Sequence, residues 1–328
     1  MKVLVTGATG FTGGHLARAL LRDRHTVVAL VRPSSLERAA GLQSAGAELR
    51  PGDLQDPDSV ARAAAGCEVV YHIAATYREA GQSESAYRHI NVDGTRHVLE
   101  AARAAGVRRV VHCSTGGVHG HIEKPPADEE APFAPGDAYQ RTKLEAERLA
   151  VDFGRRSGLE VVIARPIGIY GPGDLRFLKM FRGIARGRFP MLGSGEVFYH
   201  LTYIDDLVRG FRLCADVPAA AGRTYLLAGP DYTTLNALVA LIAEELQVSP
   251  PRLRLPVWPV WLAGAVCEAV CVPLGIQPAL FRRRVDFYRK GRAFTTARAA
   301  RELGYQPAVD LRTGIRMTID WYRSQGLL

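Results

Sequence analysis

Cysteines are few in this sequence of 328 residues, and no two of them show C-x-x-C spacing. Five is an odd number, which argues against a disulfide framework of the kind found in small secreted domains. Cys267 and Cys271 are four residues apart, but no histidine or further cysteine completes a metal site beside them. We therefore expect reduced thiols, no bound metal and a cytoplasmic location.

Long uninterrupted apolar runs are also missing. The most apolar segment, residues 255–276, is broken by Pro256, Pro259, Glu268 and Pro273. A membrane-spanning helix needs about 20 consecutive apolar residues, so this segment is too short to cross a bilayer. Three alternatives stay open for it: a buried helix, a lid over an apolar pocket, and a weak contact with a membrane surface.

Acidic residues are outnumbered by basic ones, 33 to 42, which gives a net charge of +9. The arginines are scattered through predicted helices. The one dense run, residues 282–284, has no interleaved aromatic residues that would stack on bases. The sequence therefore argues against nucleic-acid binding and favours an anionic cofactor or a small anionic substrate.

Apolar strands and amphipathic helices alternate through the first two-thirds of the chain. Strands are predicted at 2–6, 25–32, 47–54, 67–75, 108–115 and 159–166, and helices at 10–23, 35–45, 84–105 and 138–157. Because the strands are continuously apolar, they favour a parallel sheet with helices on both faces. The predicted fold is therefore α/β, with a doubly wound parallel sheet.

The pattern changes after residue 166. A basic helix is predicted at 175–188, a strand followed by a helix at 198–207, a strand at 224–229 and an amphipathic helix at 233–247. We predict a dinucleotide-binding core of residues 1–166 that is completed by elements near 198–229. Residues 167–197 and 230–328 are predicted to form a smaller, mainly helical substrate domain.

A glycine-rich turn, TGATGFTG, joins the first strand to the first helix. Its G-x-x-G-x-x-G spacing supplies a tight turn, close approach of the backbone to a pyrophosphate, and free N–H groups at a helix N-terminus. In the first βα turn of a parallel sheet, this spacing predicts dinucleotide binding. The turn residues that we assign to the cofactor are Gly7, Thr9, Gly10, Phe11 and Gly13.

Residues at the ends of later strands extend the predicted cofactor site. Arg32 ends the second predicted strand, where an NAD site usually has an acidic residue for the adenosine ribose. Because a cation there pairs with a 2′-phosphate, we predict NADP as the preferred cofactor and NAD as the alternative. Asp53 and Leu54 are expected in the adenine pocket, and the small Ala74 and Ala75 beside the cofactor.

Tyr139 and Lys143 are four residues apart in a predicted helix, and Thr115 ends a strand 24 residues before Tyr139. Residues i and i+4 share one face of a helix. A compact lysine amine approaches a ribose more easily than the planar fork of arginine does. Lysine at position 143 is therefore informative, because only five of the 42 basic residues are lysines.

Together these pieces resemble the extended short-chain dehydrogenases/reductases over nearly the whole chain. The matching motifs are TGATGFTG (6–13), GDL (52–54), HIAA (72–75), HINVDGT (89–95), CSTGGVHG (113–120), YQRTK (139–143), RPIGIYGPGD (165–174) and YIDDL (203–207). The resemblance implies a Rossmann core and an NAD(P)-dependent enzyme acting on a small molecule. It also implies a homodimer formed through the helices at 84–105 and 138–157.

The resemblance also implies roles for individual residues. Tyr139 would be the general acid/base for a secondary alcohol or ketone. Lys143 would hold the nicotinamide ribose and lower the pKa of the Tyr139 phenol from ~10. Thr115 would hydrogen-bond the same substrate oxygen, and Asn91 would order the region behind Lys143. The further cofactor contacts that it implies are Ser114, Pro166, Ile167 and Ile169.

The chain departs from the nucleotide-sugar enzymes of that family. Dehydratases have an Asp–Glu pair where this chain has Gly116 and Gly117, so a dehydratase is not expected. Epimerases usually have Asn at the position of Gly168, and Arg at the position of Tyr199 to clamp a diphosphate. The arginines that are candidates to replace this clamp are Arg176, Arg182, Arg186 and Arg188.

The better match is the branch with 3β-hydroxysteroid dehydrogenases and dihydroflavonol-type reductases. We therefore predict an oxidoreductase that interconverts a secondary alcohol and a ketone. Residues 171–195 and 320–328 resemble sugar-nucleotide epimerases, so an epimerase or 4-ketoreductase stays an alternative. A non-catalytic NADP-binding sensor is a lesser alternative, because such relatives typically lack the Tyr and the Lys.

Overall fold

The structure is a computed structural model that describes residues 1–77, 82–271, 274, 276 and 285–328. Its strands are β1 (Lys2–Thr6), β2 (Thr26–Val31), β3 (Glu48–Pro51), β4 (Val69–His72), β5 (Arg109–Cys113), β6 (Glu160–Pro166), β7 (Ile169–Tyr170), β8 (Met191–Leu192), β9 (Phe198–His200), β10 (Thr202–Tyr203), β11 (Thr224–Leu227), β12 (Tyr232–Thr234) and β13 (Arg254–Leu255). The arginine run at 282–284 lies outside the described residues.

Helices cover both faces of these strands. They are α1 (Phe11–Arg22), α2 (Leu36–Ser44), α3 (Pro57–Ala64), α4 (Glu84–Arg88), α5 (Gly94–Ala104), α6 (Ala138–Ser157), α7 (Leu178–Ala185), α8 (Ile204–Asp216), α9 (Leu235–Leu246), α10 (Val257–Cys271), α11 (Ala297–Leu303) and α12 (Leu311–Ser324). A π-helical turn, His89–Asp93, joins α4 to α5.

Seven parallel strands form the central sheet, in the order β11-β6-β5-β4-β1-β2-β3. The chain moves outward from β1 through β2 to β3, and then returns to the other side of β1 with β4. This reversal opens a crevice at the carboxyl ends of β1 and β4, where α/β sheets usually bind their ligands. The structure confirms the predicted α/β fold with its doubly wound parallel sheet.

The sheet strands are apolar on both sides because each side packs against helices. Val3 and Val5 of β1 belong to the core cluster that includes α1 and α8. Leu4, which points the other way, belongs to the cluster that includes α3 and α5. All three side chains are fully buried. The continuously apolar strand pattern in the sequence therefore follows from this two-sided packing.

The chain after residue 166 only partly joins the central sheet. Among its described strands β11 pairs with β6, whereas β7–β10, β9–β12 and β8–β13 form separate two-stranded sheets. The predicted strand–helix sequence at 198–207 is present as β9, β10 and α8. The domain boundaries given above stay a prediction.

The basic helix predicted at 175–188 is shorter in the structure, where α7 runs from Leu178 to Ala185. The preceding loop has positive φ angles at Gly171 and Gly173. Asp174 then accepts a hydrogen bond from the backbone N–H of Arg176 at 3.0 Å. This local turn competes with helical hydrogen bonding and delays the start of the helix.

The apolar segment at 255–276 forms β13 and α10. Gly264 is the buried residue of α10, and most of the helix is half-buried or exposed. The buried-helix alternative is therefore wrong. Among the described residues, no helix has both the length and the apolar character that crossing a membrane requires.

Candidate active site

A cavity of about 1120 Å³ opens at the carboxyl edge of the central sheet. Most of the residues that the sequence assigns to cofactor and catalysis line it: Gly7, Thr9, Gly10, Phe11, Gly13, Arg32, Asp53, Leu54, Ala74, Ala75, Ser114, Thr115, Tyr139, Pro166, Ile167 and Ile169. Asn91 and Lys143 are buried just outside this lining. Their roles, like those of the lining residues, stay predictions from the sequence.

The glycine-rich turn leaves no space for side chains where the backbone folds on itself. Gly7 has a φ of +73°, and a Cβ there would stand 2.8 Å from the backbone nitrogen of Ala74. A Cβ at Gly13 would stand 2.3 Å from the carbonyl oxygen of Gly7. Gly10 precedes the first turn of α1 without a side-chain cap, so N–H groups of a turn that lines the cavity are left without intrahelical partners. This arrangement fits a pyrophosphate at the helix N-terminus.

A substitution at Gly13 is expected to disrupt this turn. In Gly13→Ala the new methyl group meets backbone rather than a flexible side chain, so the turn must shift. We expect NADP(H) affinity to fall by at least about tenfold, measured by calorimetric titration. Gly41→Ala in the middle of α2 is the matched control, because nothing lies within 4 Å of the added methyl group. Equal affinities for the two variants would contradict the assignment of the turn.

The adenine end of the cavity combines a carboxylate with two arginines. Ser59 fixes the backbone of Asp53, accepting from its N–H at 3.1 Å and donating to its carbonyl at 3.0 Å. Arg32 and Arg38 both line this end. Arg38 also donates to the Ser35 hydroxyl at 2.6 Å. Sequence reasoning missed Arg38, although its position in the first half of the helix after Arg32 was visible.

Asn91 joins the end of β4 to α6. Its Oδ1 accepts from the backbone N–H of Thr76 at 2.9 Å, and its Nδ2 donates to the Thr142 hydroxyl at 3.0 Å. Thr142 directly precedes Lys143 in the sequence. Asn91 therefore holds the backbone around the predicted catalytic lysine rather than facing the cavity itself.

Tyr139 and Lys143 lie one turn apart on α6, whose first turn is capped by Asp137, which accepts from Gln140 N–H at 2.8 Å. Tyr139 and Thr115 both line the cavity. Lys143 is 1% exposed. Burial lowers the pKa of its ammonium group, and Cys113 and Glu147 oppose the shift. The hydroxyl and the phenol therefore lie at the cavity and the amine is buried, and their shared catalytic role stays a prediction.

Two histidines next to Lys143 are held neutral. Burial and the positive charge of Lys143 lower the pKa of His72 to about 3 and that of His112 well below its usual value. The His72 ring bridges the hydroxyls of Thr6 and Thr95, at 2.9 and 3.0 Å. Thr95 itself donates to a carbonyl at 2.6 Å, so it accepts from His72 Nε2–H. Because both rings are neutral, the buried ammonium of Lys143 is not repelled by further positive charges from them.

A buried ion pair joins α6 to β6 next to the site. Glu147 of α6 pairs with Arg165 of β6 at 2.6 Å, and both side chains are about 5% exposed or less. Ser114 donates to the same carboxylate at 2.6 Å, so its hydroxyl is directed to Glu147. Arg165 Nη1 is also 3.0 Å from His119 Nε2. Among the described residues, no group of three or more His, Cys, Asp or Glu could hold a metal ion.

The substrate half of the cavity is mainly aromatic and apolar. The lining side chains of this type are Tyr77, Phe177, Met180, Phe189, Phe198, Tyr199, Phe287 and Tyr288. The ring of Tyr77 meets that of Tyr139 edge-on, with centroids 5.0 Å apart. Tyr199, at the position where epimerases have Arg, donates its hydroxyl to the carbonyl of Phe287.

Four cations also line this half: Arg176, Lys179, Lys290 and Arg292. Of the arginines proposed from the sequence to replace the missing clamp, Arg176 lines the cavity, whereas Arg182 donates to the carbonyl of Leu327 at 2.7 Å. Sequence reasoning missed Lys290 and Arg292. They lie in a basic segment far beyond the end of α6 at Ser157, and nothing in that segment indicates that it returns to the cavity.

The loop that carries Arg176 is docked on the first turn of α1. His15 Nε2 is 2.9 Å from the carbonyl oxygen of Pro172. The Arg176 guanidinium lies 5.4 Å from the ring centre of Phe11 and 5.7 Å from that of Tyr77. Arg176 also donates to Asp174 at 2.7 Å. The guanidinium therefore stands between the glycine-rich turn and the tyrosine pair.

Comparison with known proteins agrees with this geometry. The sequence pattern of the NAD dependent epimerase/dehydratase family matches residues 3–228. The 3beta-hydroxysteroid-dehydrogenase/decarboxylase isoform 1 of Arabidopsis thaliana is 29% identical over 350 residues, which cover 97% of this chain and 78% of the relative. The 2-alkyl-3-oxoalkanoate reductase of Stenotrophomonas maltophilia is 32% identical over 330 residues, or 96% of this chain and 98% of the relative.

Solved structures share the fold along the whole chain. The crystal structure of gox2253 superposes with a TM-score of 0.83 at 31% identity, and the match covers 99% of both chains.

Proposed function

The chain belongs to the NAD-dependent epimerase/dehydratase family, and from this membership we propose that it interconverts a secondary alcohol and a ketone of a lipophilic small molecule with NADP(H). Members of this family are NAD(P)-dependent enzymes of the extended short-chain dehydrogenase/reductase type. One observation carries the proposal: Tyr139 and Thr115 face an aromatic cavity, with Lys143 buried one helical turn behind the phenol.

The cavity fits a dinucleotide along its floor. At Gly7 and Gly13 the absence of a side chain leaves a space that a Cβ would fill. The backbone of Ala74 lies next to Gly7. Asp53, Leu54 and Arg32 stand at the adenine end. The bound cofactor supplies or accepts the hydride, which is the chemically difficult part of the reaction.

The residues of the chain itself handle the proton and the oxygen. In reduction, the Tyr139 hydroxyl donates its proton to the oxygen of the ketone as that oxygen becomes an alcohol; in oxidation, the phenolate takes the proton back. Thr115 donates a hydrogen bond to the same oxygen and fixes its orientation. Lys143 places a positive charge near the phenolate form and stabilises it.

Two further observations support a lipophilic substrate. The substrate half of the cavity is lined mainly by aromatic and apolar side chains. Two of the relatives reported above are named for a 3beta-hydroxysteroid and a 2-alkyl-3-oxoalkanoate, so one name contains a hydroxyl group and the other a ketone, each on a hydrocarbon skeleton.

A nucleotide-sugar epimerase or 4-ketoreductase is the second candidate, because Arg176, Lys290 and Arg292 line the same half of the cavity. Three cations can neutralise a diphosphate without an arginine at position 199. The two candidates differ in what the enzyme binds. Calorimetric titration with UDP, GDP, dTDP and CDP, each in the presence of NADP(H), discriminates between them. Micromolar binding of one nucleoside diphosphate would favour the second candidate.

The direct test is a cofactor-coupled assay of the purified chain with steroids, flavonols and 3-oxoalkanoates. We expect the absorbance of the reduced nicotinamide cofactor to change with at least one apolar ketone or alcohol. Tight NADPH binding without turnover of any tested compound would oppose the proposal and favour a sensor protein.

The preference for NADP rests on two cations at the adenine end. Arg32 and Arg38 line the cavity there, and a guanidinium is a suitable partner for a 2′-phosphate. In Arg32→Asp, we expect the ratio of kcat/KM for NADP to that for NAD to fall by about 10–100-fold, because an attractive contact becomes a repulsive one. Initial rates with each cofactor measure this ratio.

Arg62→Asp is the control for a general change of surface charge, because Arg62 is exposed on α3 and is not among the lining residues. An unchanged ratio in Arg32→Asp, or an equal fall in Arg62→Asp, would contradict the role of Arg32.

A further inference from the structure

Helix α10 presents a row of apolar side chains to solvent. The row, which we call the outer stripe, consists of Trp258, Leu262, Val266, Val270 and Leu274, exposed by 69, 50, 57, 56 and 66%. These residues recur every four positions, so the four that belong to α10 follow one side of the helix. Ile276 adds a further apolar side chain that is 56% exposed.

Such a surface needs a partner. Contiguous exposed apolar patches on a protein mark sites that bind other molecules or membranes. Within α10, Glu268 is the one charged residue, and Gly264 is the buried one. A helix that is apolar nearly all round is usually buried in a protein core or in lipid. Here the protein core covers little of it.

The charge around the stripe indicates what kind of surface covers it. Among the residues of 251–292 that the structure describes, five are basic and two are acidic, a net charge of +3. Arg252 and Arg254 are exposed immediately before α10. Anionic lipid headgroups attract such clusters beside an apolar helix.

Tryptophan adds a second indication. Two of the three tryptophans of the chain, Trp258 and Trp261, lie in the first turns of α10. Tryptophan is enriched where a protein meets the interface between lipid tails and water, because its ring is apolar and its N–H is polar.

We propose that the outer stripe rests on the headgroup region of an anionic lipid bilayer, with α10 lying in the plane of the interface. A second copy of the chain is the main competing occupant. Two facing copies would bring two net positive segments together, and like charges repel. The resemblance to short-chain dehydrogenases also places the expected dimer interface elsewhere, on α4, α5 and α6.

The segments on either side of α10 in the chain connect it to the cavity region. β13, immediately before α10, pairs with β8, and Val257 packs against Gly193. Phe287, Tyr288 and Lys290, which follow α10 in the chain, line the cavity. If the substrate is lipophilic, as the proposed function holds, docking would let it enter from the bilayer. This last step alone rests on the proposed function.

Flotation of the full chain with vesicles tests the docking. We expect it to float with vesicles of 3:1 phosphatidylcholine and phosphatidylglycerol, and at least about tenfold less with phosphatidylcholine alone, with binding weakened by salt. The double variant Leu262→Glu/Val266→Glu should lose at least about tenfold in bound fraction. Met317→Glu is the matched control, because Met317 is a 42% exposed apolar residue on α12.

A second measurement does not depend on a stripe variant. In Trp321→Phe the remaining tryptophans are Trp258 and Trp261, so brominated lipids in the anionic vesicles should quench most of the fluorescence. Absence of quenching would overturn the proposal, as would equal flotation of the stripe variant and Met317→Glu. A dimer that the stripe variant dissociates, together with no flotation of the wild type, would assign the stripe to a second copy instead. The activity assay is independent of all these outcomes.

Discussion

Tyr139→Phe is expected to lower kcat by about 10²–10⁴-fold while cofactor affinity changes by less than about threefold. The substitution removes one oxygen, the atom that exchanges a proton with the substrate. The ring stays, so its edge-on contact with Tyr77 is preserved. Steady-state rates and calorimetric titration with NADP(H) measure the two effects separately.

The control is Tyr232→Phe. Tyr232 is 38% exposed on β12 and is not among the residues that line the cavity. The same atom is removed there, and kcat is expected to stay at the wild-type value. If Tyr139→Phe lost cofactor binding and turnover in equal measure, Tyr139 would be a structural or cofactor-binding residue rather than the proton donor.

Glu147→Leu is expected to lower the free energy of unfolding by about 3–5 kcal/mol. The substitution leaves the buried guanidinium of Arg165 without its carboxylate partner. It also removes the acceptor of the Ser114 hydroxyl. Chemical denaturation monitored by circular dichroism measures the loss.

Two further variants establish the cause. In Glu147→Leu/Arg165→Met no uncompensated charge remains, so much of the lost stability should return. Glu145→Gln, on the same helix, breaks an ion pair with Arg88 that solvent screens, and should cost about 0–1 kcal/mol. If Glu145→Gln and Glu147→Leu lowered the free energy of unfolding equally, burial would not explain the contribution of the Glu147–Arg165 pair to stability.

The features that the sequence predicted well are local ones. The glycine spacing specifies a turn whose contacts lie within a few residues, except for Ala74 of the neighbouring strand. The Tyr139–Lys143 spacing specifies one helix face, and α6 begins and ends where the pattern predicted. Continuous apolar strands likewise predicted the sheet, because the residue pattern within each strand reflects which of its faces are buried.

The features that the sequence missed depend on how distant segments meet. Nothing near Lys290 or Arg292 indicates that these residues return to the cavity. Glu147 and Arg165 look like ordinary helix and strand charges until the helix packs on the strand and buries both. The exposure of α10 could not be predicted, because apolar composition does not show whether another element covers it.

The docking of Arg176 between Phe11 and Tyr77 has a thermodynamic consequence. The loop at 171–177 touches both the cofactor turn and the tyrosine pair, so a ligand that orders the loop changes the affinity of the second site as well. Linkage makes such coupling reciprocal. The factor by which bound cofactor raises the affinity for substrate equals the factor by which bound substrate raises the affinity for cofactor. Any coupling that passes through this loop would therefore act equally in both directions.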